Sequence, residues 1–156
     1  MAQELSTAGV LLKYAAAASG TTRPTSGYTT IPNIKSIPDF NPEPESLEVT
    51  DLSDTTWRRY IAGLRDPGGA LAFTANLTTG FKTAWTTLCT AYATALAAGK
   101  SMWFEIYVPS FGSFYFAGIP TELGMSAMDV NAVLEITAFI TPNLIHGWDT
   151  SSTGSA

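Results

Sequence analysis

The sequence predicts a mostly β protein that carries one α-helix and whose strands form an antiparallel sandwich or barrel. Three observations lead to this fold class: several short segments alternate apolar and polar side chains, one long segment has helical periodicity, and strands occur on both sides of it. The 156 residues suffice for one buried core and contain no internal repeat. We therefore expect one domain over residues 1–148, with long loops at about 19–45 and 51–69, and a disordered tail at 149–156.

The N-terminal third predicts one strand followed by a long connector. Gly9–Ala16 alternates as a strand does. The connector Ser19–Glu45 is rich in Thr, Ser, Gly and Pro, and a connection of this length usually has a function or makes an interaction. An alternative interpretation places a strand pair around Tyr28–Ile34 within the connector.

The middle of the chain predicts two strands separated by an ambiguous segment. Leu47–Thr50 is expected to be a short strand, and Ala70–Leu77 alternates plainly. The segment between them, Asp51–Asp66, has no clean period. Four of its apolar side chains lie at helical spacing and allow one or two helical turns, with Asp54 as a plausible N-cap. These four are Trp57, Tyr60, Ile61 and Leu64.

The clearest helix is predicted for Thr79–Ala98, with Gly99 ending it. Large apolar side chains recur along one side at spacings of four, three, four and four residues. They are Phe81, Trp85, Leu88, Tyr92 and Leu96. The other face consists of Ala and Thr, with Lys82 as the only charge within the helix. Such a face fits either a second packing surface or an ordinary polar surface.

The last third predicts a hairpin and a final strand. Met102–Val108 and Ser113–Ala117 form the hairpin, and Pro109–Gly112 supplies its turn. The final strand is expected at Val133–Ile140, with Pro142 ending it.

Residues able to support catalysis or metal binding are scarce. Cys89 is the only cysteine and His146 the only histidine, which excludes a disulfide within one chain and zinc sites built from several Cys and His ligands. No nucleophile-elbow motif and no P-loop are present. We therefore expect no enzyme, no cofactor and no metal. The acidic side chains of residues 39–54 leave a loop calcium site as an alternative.

Glu105 and Glu135 lie inside apolar strands and could in principle form an acid/base pair. Burying a charge without a partner is costly, and each glutamate alternates with an apolar face. We therefore expect the sheet to turn one face to the core and the other, with these glutamates, to water or a lumen.

The composition favours a protein that associates with copies of itself or with a partner. Charged residues make up 13% of the chain, about half the usual share of roughly 25%. The net charge of −5 argues against DNA binding, whereas an acidic wall would let DNA slide past. No export signal and no membrane-spanning segment is recognisable, so we expect synthesis in a cytoplasm without secretion.

A series of short sequence features, none specific alone, extends in order from Gly9 to Trp148. The features are Lys13-Tyr14, Ile31-Pro32-Asn33-Ile34, the Pro/Glu-rich run Ser36–Glu45, Leu47-Glu48-Val49-Thr50 with the following Asp-Leu-Ser-Asp turn, Tyr60–Gly63, Phe73-Thr74, the helix with Trp85, Trp103-Phe104-Glu105-Ile106, Phe116-Ala117-Gly118 and Ile140-Thr141-Pro142. In this order they resemble the major tail proteins of long-tailed, siphovirus-type bacteriophages, which form the tail tube.

The resemblance implies a structural virion protein of the tail, whose hexameric rings stack into a tube and whose lumen lets DNA pass without specific binding. The implied partners are further copies, tail-tip, tape-measure and tail-terminator proteins, and no membrane. The candidate lumen-facing residues are Glu105, Glu135 and Thr137. The candidate intersubunit residues are Ile37, Phe40, Asp51, Asp54, Trp57, Arg58, Arg59 and Tyr60.

Two alternatives remain open. The chain could be a small β-barrel binding module in which Trp103, Tyr107 and Tyr115 line a ligand pocket. It could also be a tube subunit of a related contractile injection or secretion system, since these systems share the implied fold. The low charge and the Ala/Thr helix face favour a tube subunit over a binding module.

Overall fold

The structure is a computed structural model of the chain, and it describes residues 8–17, 19–41, 44–65 and 69–151. Within these residues there are nine strands and one helix. They are β1 Leu11–Ala16, β2 Thr29–Ile31, β3 Ile34–Ser36, β4 Pro44–Glu48, β5 Tyr60–Arg65, β6 Leu71–Asn76, α1 Thr79–Ala97, β7 Met102–Val108, β8 Gly112–Pro120 and β9 Glu135–Asp149.

The contacts divide the chain into two compact units. The first comprises Met1–Pro38 and Ala70–Ala156, and we call it the barrel unit. The second comprises Asp39–Gly69 and contains β4 and β5, and we call it the hairpin unit.

The barrel unit is built on one antiparallel sheet of seven strands in the order β2-β1-β7-β8-β9-β6-β3. Its two edge strands, β2 and β3, follow each other in sequence and are joined by a turn at Pro32-Asn33. Asn33 has a φ of +63°, a left-handed conformation that asparagine tolerates better than most residues. The sheet therefore nearly closes into a barrel, and the predicted fold class is confirmed.

The main core lies between the sheet and α1, which contacts β1, β2 and β8. Phe104 and Phe116 stack with ring centroids 5.4 Å apart. The indole nitrogen Nε1 of Trp85 donates to the backbone oxygen of Thr121 at 2.8 Å. Full burial of each large apolar side chain contributes about 1.5–3 kcal/mol, so this core supplies most of the barrel's stability. Its fully buried members include Leu12, Phe73, Phe81, Trp85, Leu88, Phe104, Phe116 and Ile140.

The predicted helix is confirmed, with clear signals at both ends. The hydroxyl of Thr78 caps the N-terminus by accepting from the backbone N–H of Phe81 at 3.1 Å. Gly99 follows the last turn with a φ of +71°, as expected of a terminating glycine. The apolar stripe differs from the prediction in its last turn, where Ala95 is buried and Leu96 is exposed.

The connector contains the two short strands β2 and β3, so it is not a structureless link. The alternative interpretation is partly right, because strands occur near Tyr28–Ile34, but they do not pair with each other. Instead β2 pairs with β1, and β3 pairs with β6. Their partners lie far away in sequence, which local patterns cannot reveal.

The last strand does not end at Pro142 but continues to Asp149. Proline lacks a backbone N–H and is tolerated inside a sheet only where the hydrogen-bond pattern is interrupted. The register shifts between Ala117 and Gly118, and Gly118 is the partner of Pro142. A Cβ atom at Gly118 would lie 2.8 Å from the backbone oxygen of Thr141, so glycine allows the close approach that this bulge requires.

The predicted boundaries of this strand also change at both ends. Val133 and Leu134 precede it and are exposed. Asp149 belongs to the strand and does not start a disordered tail; residues 152–156 of the expected tail lie outside the described residues.

The hairpin unit contains an antiparallel pair in which Leu47 lies opposite Ile61. The first strand begins and ends earlier than predicted, at Pro44–Glu48 instead of Leu47–Thr50. The predicted helical turns are wrong, because Tyr60–Arg65 forms a strand, and Asp54 caps no helix. Three of these apolar residues, Tyr60, Ile61 and Leu64, lie on an exposed strand. Both faces of this strand carry apolar side chains, and their spacing therefore resembles that of a helix.

Candidate assembly surfaces

The hairpin unit exposes large apolar side chains to a degree unusual for a soluble protein. All five residues of β4 are exposed. Its exposed large apolar residues are Leu47, Val49, Leu52, Trp57, Tyr60, Ile61 and Leu64. Large apolar side chains exposed in this number within one short segment mark an interaction site, and a two-stranded hairpin alone is only marginally stable in water. We therefore treat this unit as a candidate assembly surface.

The loop between the two strands, residues 49–59, is held in one shape by its own charges; we call it the hairpin loop. Arg59 donates through Nε to Oδ2 of Asp54 at 2.8 Å and through Nη2 to Oδ2 of Asp51 at 3.2 Å. The backbone N–H of Asp51 donates to Oδ2 of Asp54 at 3.0 Å. The backbone N–H of Arg59 donates to the hydroxyl of Thr50 at 2.8 Å, which fixes the strand end to the loop.

These contacts keep both carboxylates ionised. Hydrogen bonds from the Ser53 side chain and backbone hold the pKa of Asp51 below its ordinary value. The backbone N–H of Asp51, and then the guanidinium of Arg59, lower the pKa of Asp54. Asp51, Asp54 and Arg59 therefore shape the loop through contacts with one another, and the trio keeps one net negative charge.

Trp57 and Arg58, like the fully exposed Leu52, are loop residues open to a partner. The side chain of Trp57 is 81% exposed. Arg58 is exposed and forms no ion pair within the part of the chain that the structure describes. Tyr60 is also exposed, whereas Ile37 in the barrel unit and Phe40 in the hairpin unit are each half-buried.

The predicted lumen residues of the last strand lie on one outer face of the barrel unit. Glu135 and Thr137 alternate with the buried residues Ile136 and Ala138 and are partly exposed. Lys35 on the edge strand β3 forms an ion pair with Glu135. This face is therefore polar, but its acidic side chain is locally compensated.

Glu105 does not lie on such a face. Its side chain is fully buried, so the predicted position on water or a lumen is wrong. The hydroxyl of Ser113 donates to Oε2 of Glu105 at 2.5 Å, and the Tyr115 hydroxyl lies 3.2 Å from the same oxygen. Lys13, also buried, is its partner in register on the neighbouring strand. The hydrogen bond from Ser113 offsets part of the cost of burying the Glu105 carboxylate.

The cause of this burial is a second layer over the face that sequence alternation assigns to solvent. The guanidinium of Arg23 lies 4.2 Å from the centre of the Tyr115 ring and forms an ion pair with Asp149 at 3.0 Å. The Tyr115 hydroxyl donates to the backbone oxygen of Thr150 at 2.7 Å, and its pKa is raised to about 12, first by burial and then by the charge of Glu105. The apolar members of this layer are Ala15, Ala17, Tyr28, Trp103, Tyr115 and Ala117.

The second layer also bears on the alternative of a binding module. Trp103 and Tyr115, expected to line a ligand pocket, are buried in this packed layer. Tyr107 is partly buried and stacks under the ammonium of Lys13, 4.6 Å from the ring centre. These aromatic side chains therefore serve packing, which weakens the alternative.

An open groove of about 690 Å³ lies beside α1 in the barrel unit. Trp85, Cys89 and Ala93 line one side of it, and residues 122–124 contribute to the other. Burial, and then the charge of Glu122, raises the pKa of Cys89, so the thiol is a poor nucleophile. The groove is thus a shape into which an apolar group can pack, without reactive chemistry.

The threonines of α1 explain the uncharged helix face. Their hydroxyls donate to backbone oxygens four residues earlier, at 2.9–3.2 Å. They are Thr86, Thr87, Thr90 and Thr94. With the hydroxyls engaged in this way, the face presents methyl groups to its surroundings, which suits packing better than hydration.

Residues 121–134 form an exposed apolar segment that the sequence interpretation missed; we call it the methionine segment. It has no helix or strand, and its two acidic residues, Glu122 and Asp129, are not accompanied by any basic residue. Its exposed large apolar residues are Met125, Met128, Val130, Val133 and Leu134. The sequence does contain a signal for this segment, namely apolar residues that follow no period. Apolar residues of a core helix or strand would recur with a period of 3.6 or 2. Methionine-rich surfaces adapt readily to partners.

Two further properties concern the described residues only. They contain no cluster of three or more His, Cys, Asp or Glu side chains that could hold a metal ion. Their one helix is too polar or too short for a membrane span.

The fold is shared with chains of phage-type tail assemblies. A chain of the anti-feeding prophage baseplate, reconstructed with sixfold symmetry, superposes with a TM-score of 0.64 at 11% identity over 94% of this chain and 97% of its own. A chain from the tail of an empty GTA particle with C6 symmetry gives 0.53 at 16% identity, over 86% and 90%. A chain of the anti-feeding prophage tube-terminating cap gives 0.54 at 12% identity, over 97% and 95%.

No protein-family model matches the sequence, and no curated protein shows significant similarity to it. At identities this low the likeness shows the fold alone.

Replacing Glu105 by alanine should destabilise the barrel unit by about 3 kcal/mol, because it leaves the buried Ser113 hydroxyl without its acceptor and removes the carboxylate opposite the buried Lys13 in the strand register. Glu135→Ala is the matched control: it removes only the partly exposed pair with Lys35 and should cost less than about 1 kcal/mol. Urea unfolding of both variants at one protein concentration measures the difference. Equal losses would contradict the structural role of Glu105.

The hairpin loop should lose its shape in acid. Because the folded-state pKa values of Asp51 and Asp54 lie below 3.8, their contribution is complete above about pH 4 and disappears as the pH falls through those lowered values. NMR of the unassembled protein should follow this loss at the Arg59 Nε proton. Asp54→Asn should produce it already at neutral pH, and Asp39→Asn should not. An unchanged Arg59 signal in Asp54→Asn would refute the role of this carboxylate.

Proposed function

We propose that this chain is the structural subunit of a phage-type tail tube, which closes into hexameric rings that stack around a channel for DNA. The observation that carries the proposal is the apolar surface of the hairpin unit and the methionine segment, on a chain in which only 13% of residues are charged. Segments that expose so many large apolar side chains are normally covered by a partner. Further copies of the chain are the partner that a homopolymeric tube requires.

The similar chains support a ring of six. Two of them belong to assemblies with sixfold symmetry, and the match extends over nearly the full length of each chain. The barrel also suits a subunit that assembles in rings. The near closure of its sheet leaves few strand edges open to uncontrolled pairing.

The proposed channel wall includes the face with Glu135 and Thr137. A polar wall on a chain with a net charge of −5 repels DNA weakly and gives phosphates little to bind. Lys35 lies on the same face, but its ammonium is engaged by Glu135.

The proposal includes the location and partners of the protein. The chain is made in the bacterial cytoplasm and incorporated in the virion tail, where it meets tail-tip, tape-measure and tail-terminator proteins. It has no enzymatic activity. The role is mechanical: the rings provide a passage for DNA ejection.

A second candidate function is a ring-forming subunit near the baseplate of a related contractile injection or secretion system. The observation in its favour is the TM-score of 0.64 with a baseplate chain, against 0.53 with the GTA tail chain. The two candidates differ in how far they polymerise. A tube subunit adds ring upon ring, whereas a baseplate subunit forms rings of limited number.

Purified protein should form tubes or stacked rings with a central channel as its concentration rises, because the apolar surfaces become covered only on association. Negative-stain electron microscopy with light scattering across a concentration series measures this. Long tubes would support the tail-tube proposal, and single rings the baseplate candidate. A monomer at all concentrations, even with added tail tips as initiators, would overturn both.

In a phage carrying the chain, Glu135→Lys should leave tails intact but reduce infectivity per particle by about tenfold or more. The new ammonium and the released Lys35 would both attract phosphates in the wall. Lys35→Glu changes the charge of the same face in the opposite direction and should leave infectivity near normal. Normal infectivity of Glu135→Lys would show that this face does not line the channel.

A further inference from the structure

We propose that the hairpin loop of one copy docks on the methionine segment of a neighbouring copy, with Trp57 seated in the groove beside α1 and Arg58 facing Glu122 and Asp129. This assignment rests on the proposed function in one respect: it requires copies of the chain to associate. It names the two surfaces that meet and the side chains that recognise each other.

The exposed side chains of the hairpin loop determine what its partner must offer. The internal contacts of Arg59 with Asp51 and Asp54 engage both carboxylates of the loop and offset one of their two negative charges. The accessible side chains of the loop include Leu52 and the apolar ring of Trp57, which stands beside Arg58, a cation without an ion-pair partner among the described residues. A partner must therefore offer an apolar recess with negative charge at its side.

The proposed receiving surface consists of the methionine segment and the groove beside α1. The methionine segment has no basic residue, and neither Glu122 nor Asp129 forms an ion pair in the described part of the chain. Residues 122–124 also line the groove beside α1, so the acidic side chain of Glu122 stands at its wall. Lys82 is the only cation among the lining residues. The surface thus combines an open recess, adaptable apolar side chains and unpaired carboxylates.

The two surfaces match in size and in residue type. A tryptophan buries about 150–250 Å², and the groove of about 690 Å³ leaves room for such a ring and part of the loop. Tryptophan and arginine are the residue types that most often dominate binding energy at interfaces. Because the loop is already held in shape, docking costs little conformational entropy.

The contact between the two surfaces also determines the symmetry of the association. The two surfaces are different patches of the same chain, so their association is head-to-tail. Such a contact passes from copy to copy and generates either a closed ring or an open filament. A self-complementary patch would instead stop at a dimer. Docking of the hairpin loop on the methionine segment is therefore the kind of contact that a polymer needs.

Charge reversal tests the pairing. Arg58→Glu alone, and Glu122→Arg with Asp129→Arg, should each raise the concentration of half-maximal assembly by about tenfold or more, since like charges then face each other. The triple variant should return it to within about threefold of the unchanged protein. Light scattering measures this concentration, and circular dichroism checks that each variant is folded. Failure of the triple variant to recover would overturn the proposed pairing.

Cross-linking in trans tests the contact itself. Thr56→Cys and Met125→Cys are each made on a Cys89→Ala background, mixed, and treated with a short bismaleimide. The expected product is a covalent dimer that contains one chain of each variant. Thr56→Cys mixed with Ser110→Cys, an exposed position in the β7–β8 turn, serves as control and should give no such product. Equal yields from both mixtures would overturn the docking.

The outcomes separate this inference from the proposed function. Tubes or rings without rescue in the triple variant and without the specific cross-link would refute the docking while the proposed function stands. A protein that never assembles, with or without tail tips, refutes the function first and the docking with it.

Discussion

The rest of the structure depends on the near closure of the seven-stranded sheet through the turn at Pro32-Asn33. This turn joins the two edge strands, and it is also fastened to the start of α1. The backbone N–H of Asn76 donates to the backbone oxygen of Asn33 at 3.0 Å, and the hydroxyl of Thr78 donates to its side-chain oxygen at 2.8 Å. One residue in a left-handed conformation thus fixes β3 beside β6 and connects both to the N-terminus of the helix.

Both faces of the central strands of the barrel unit are packed, so its interaction surfaces lie elsewhere in the unit, in the methionine segment and the groove beside α1. One face packs against α1, and the other carries the layer around Glu105 and Tyr115. The exposed apolar side chains are concentrated instead in the hairpin unit and the methionine segment. This separation lets interaction surfaces be changed without disturbing the core, which is why the charge-reversal variants can be expected to fold.

Features set by neighbouring residues were predictable from the sequence. The helix, the hairpin of β7 and β8, and the alternation in β6 are of this kind, because their signals recur within a few residues. Features set by distant partners were not. The strands β2 and β3 have three residues each, Pro142 is tolerated because of Gly118, and Glu105 is buried because Arg23 and Tyr28 lie over its neighbours. Of the candidate site, Trp57 and Arg58 were identified from the sequence, but the methionine segment was not.

The hairpin unit gains most from association. A two-stranded sheet with exposed apolar side chains on both strands is marginal alone, so a partner that covers it stabilises the folded hairpin by mass action. The contacts of Arg59 with Asp51 and Asp54 lower the entropy lost at this step, because they hold the loop before a partner arrives. Arg59 also offsets one of the two negative charges near Trp57, which reduces the repulsion from the carboxylates of the methionine segment in the proposed docking. Local ion pairs that contribute little to the stability of one chain can therefore decide which surfaces of two chains meet.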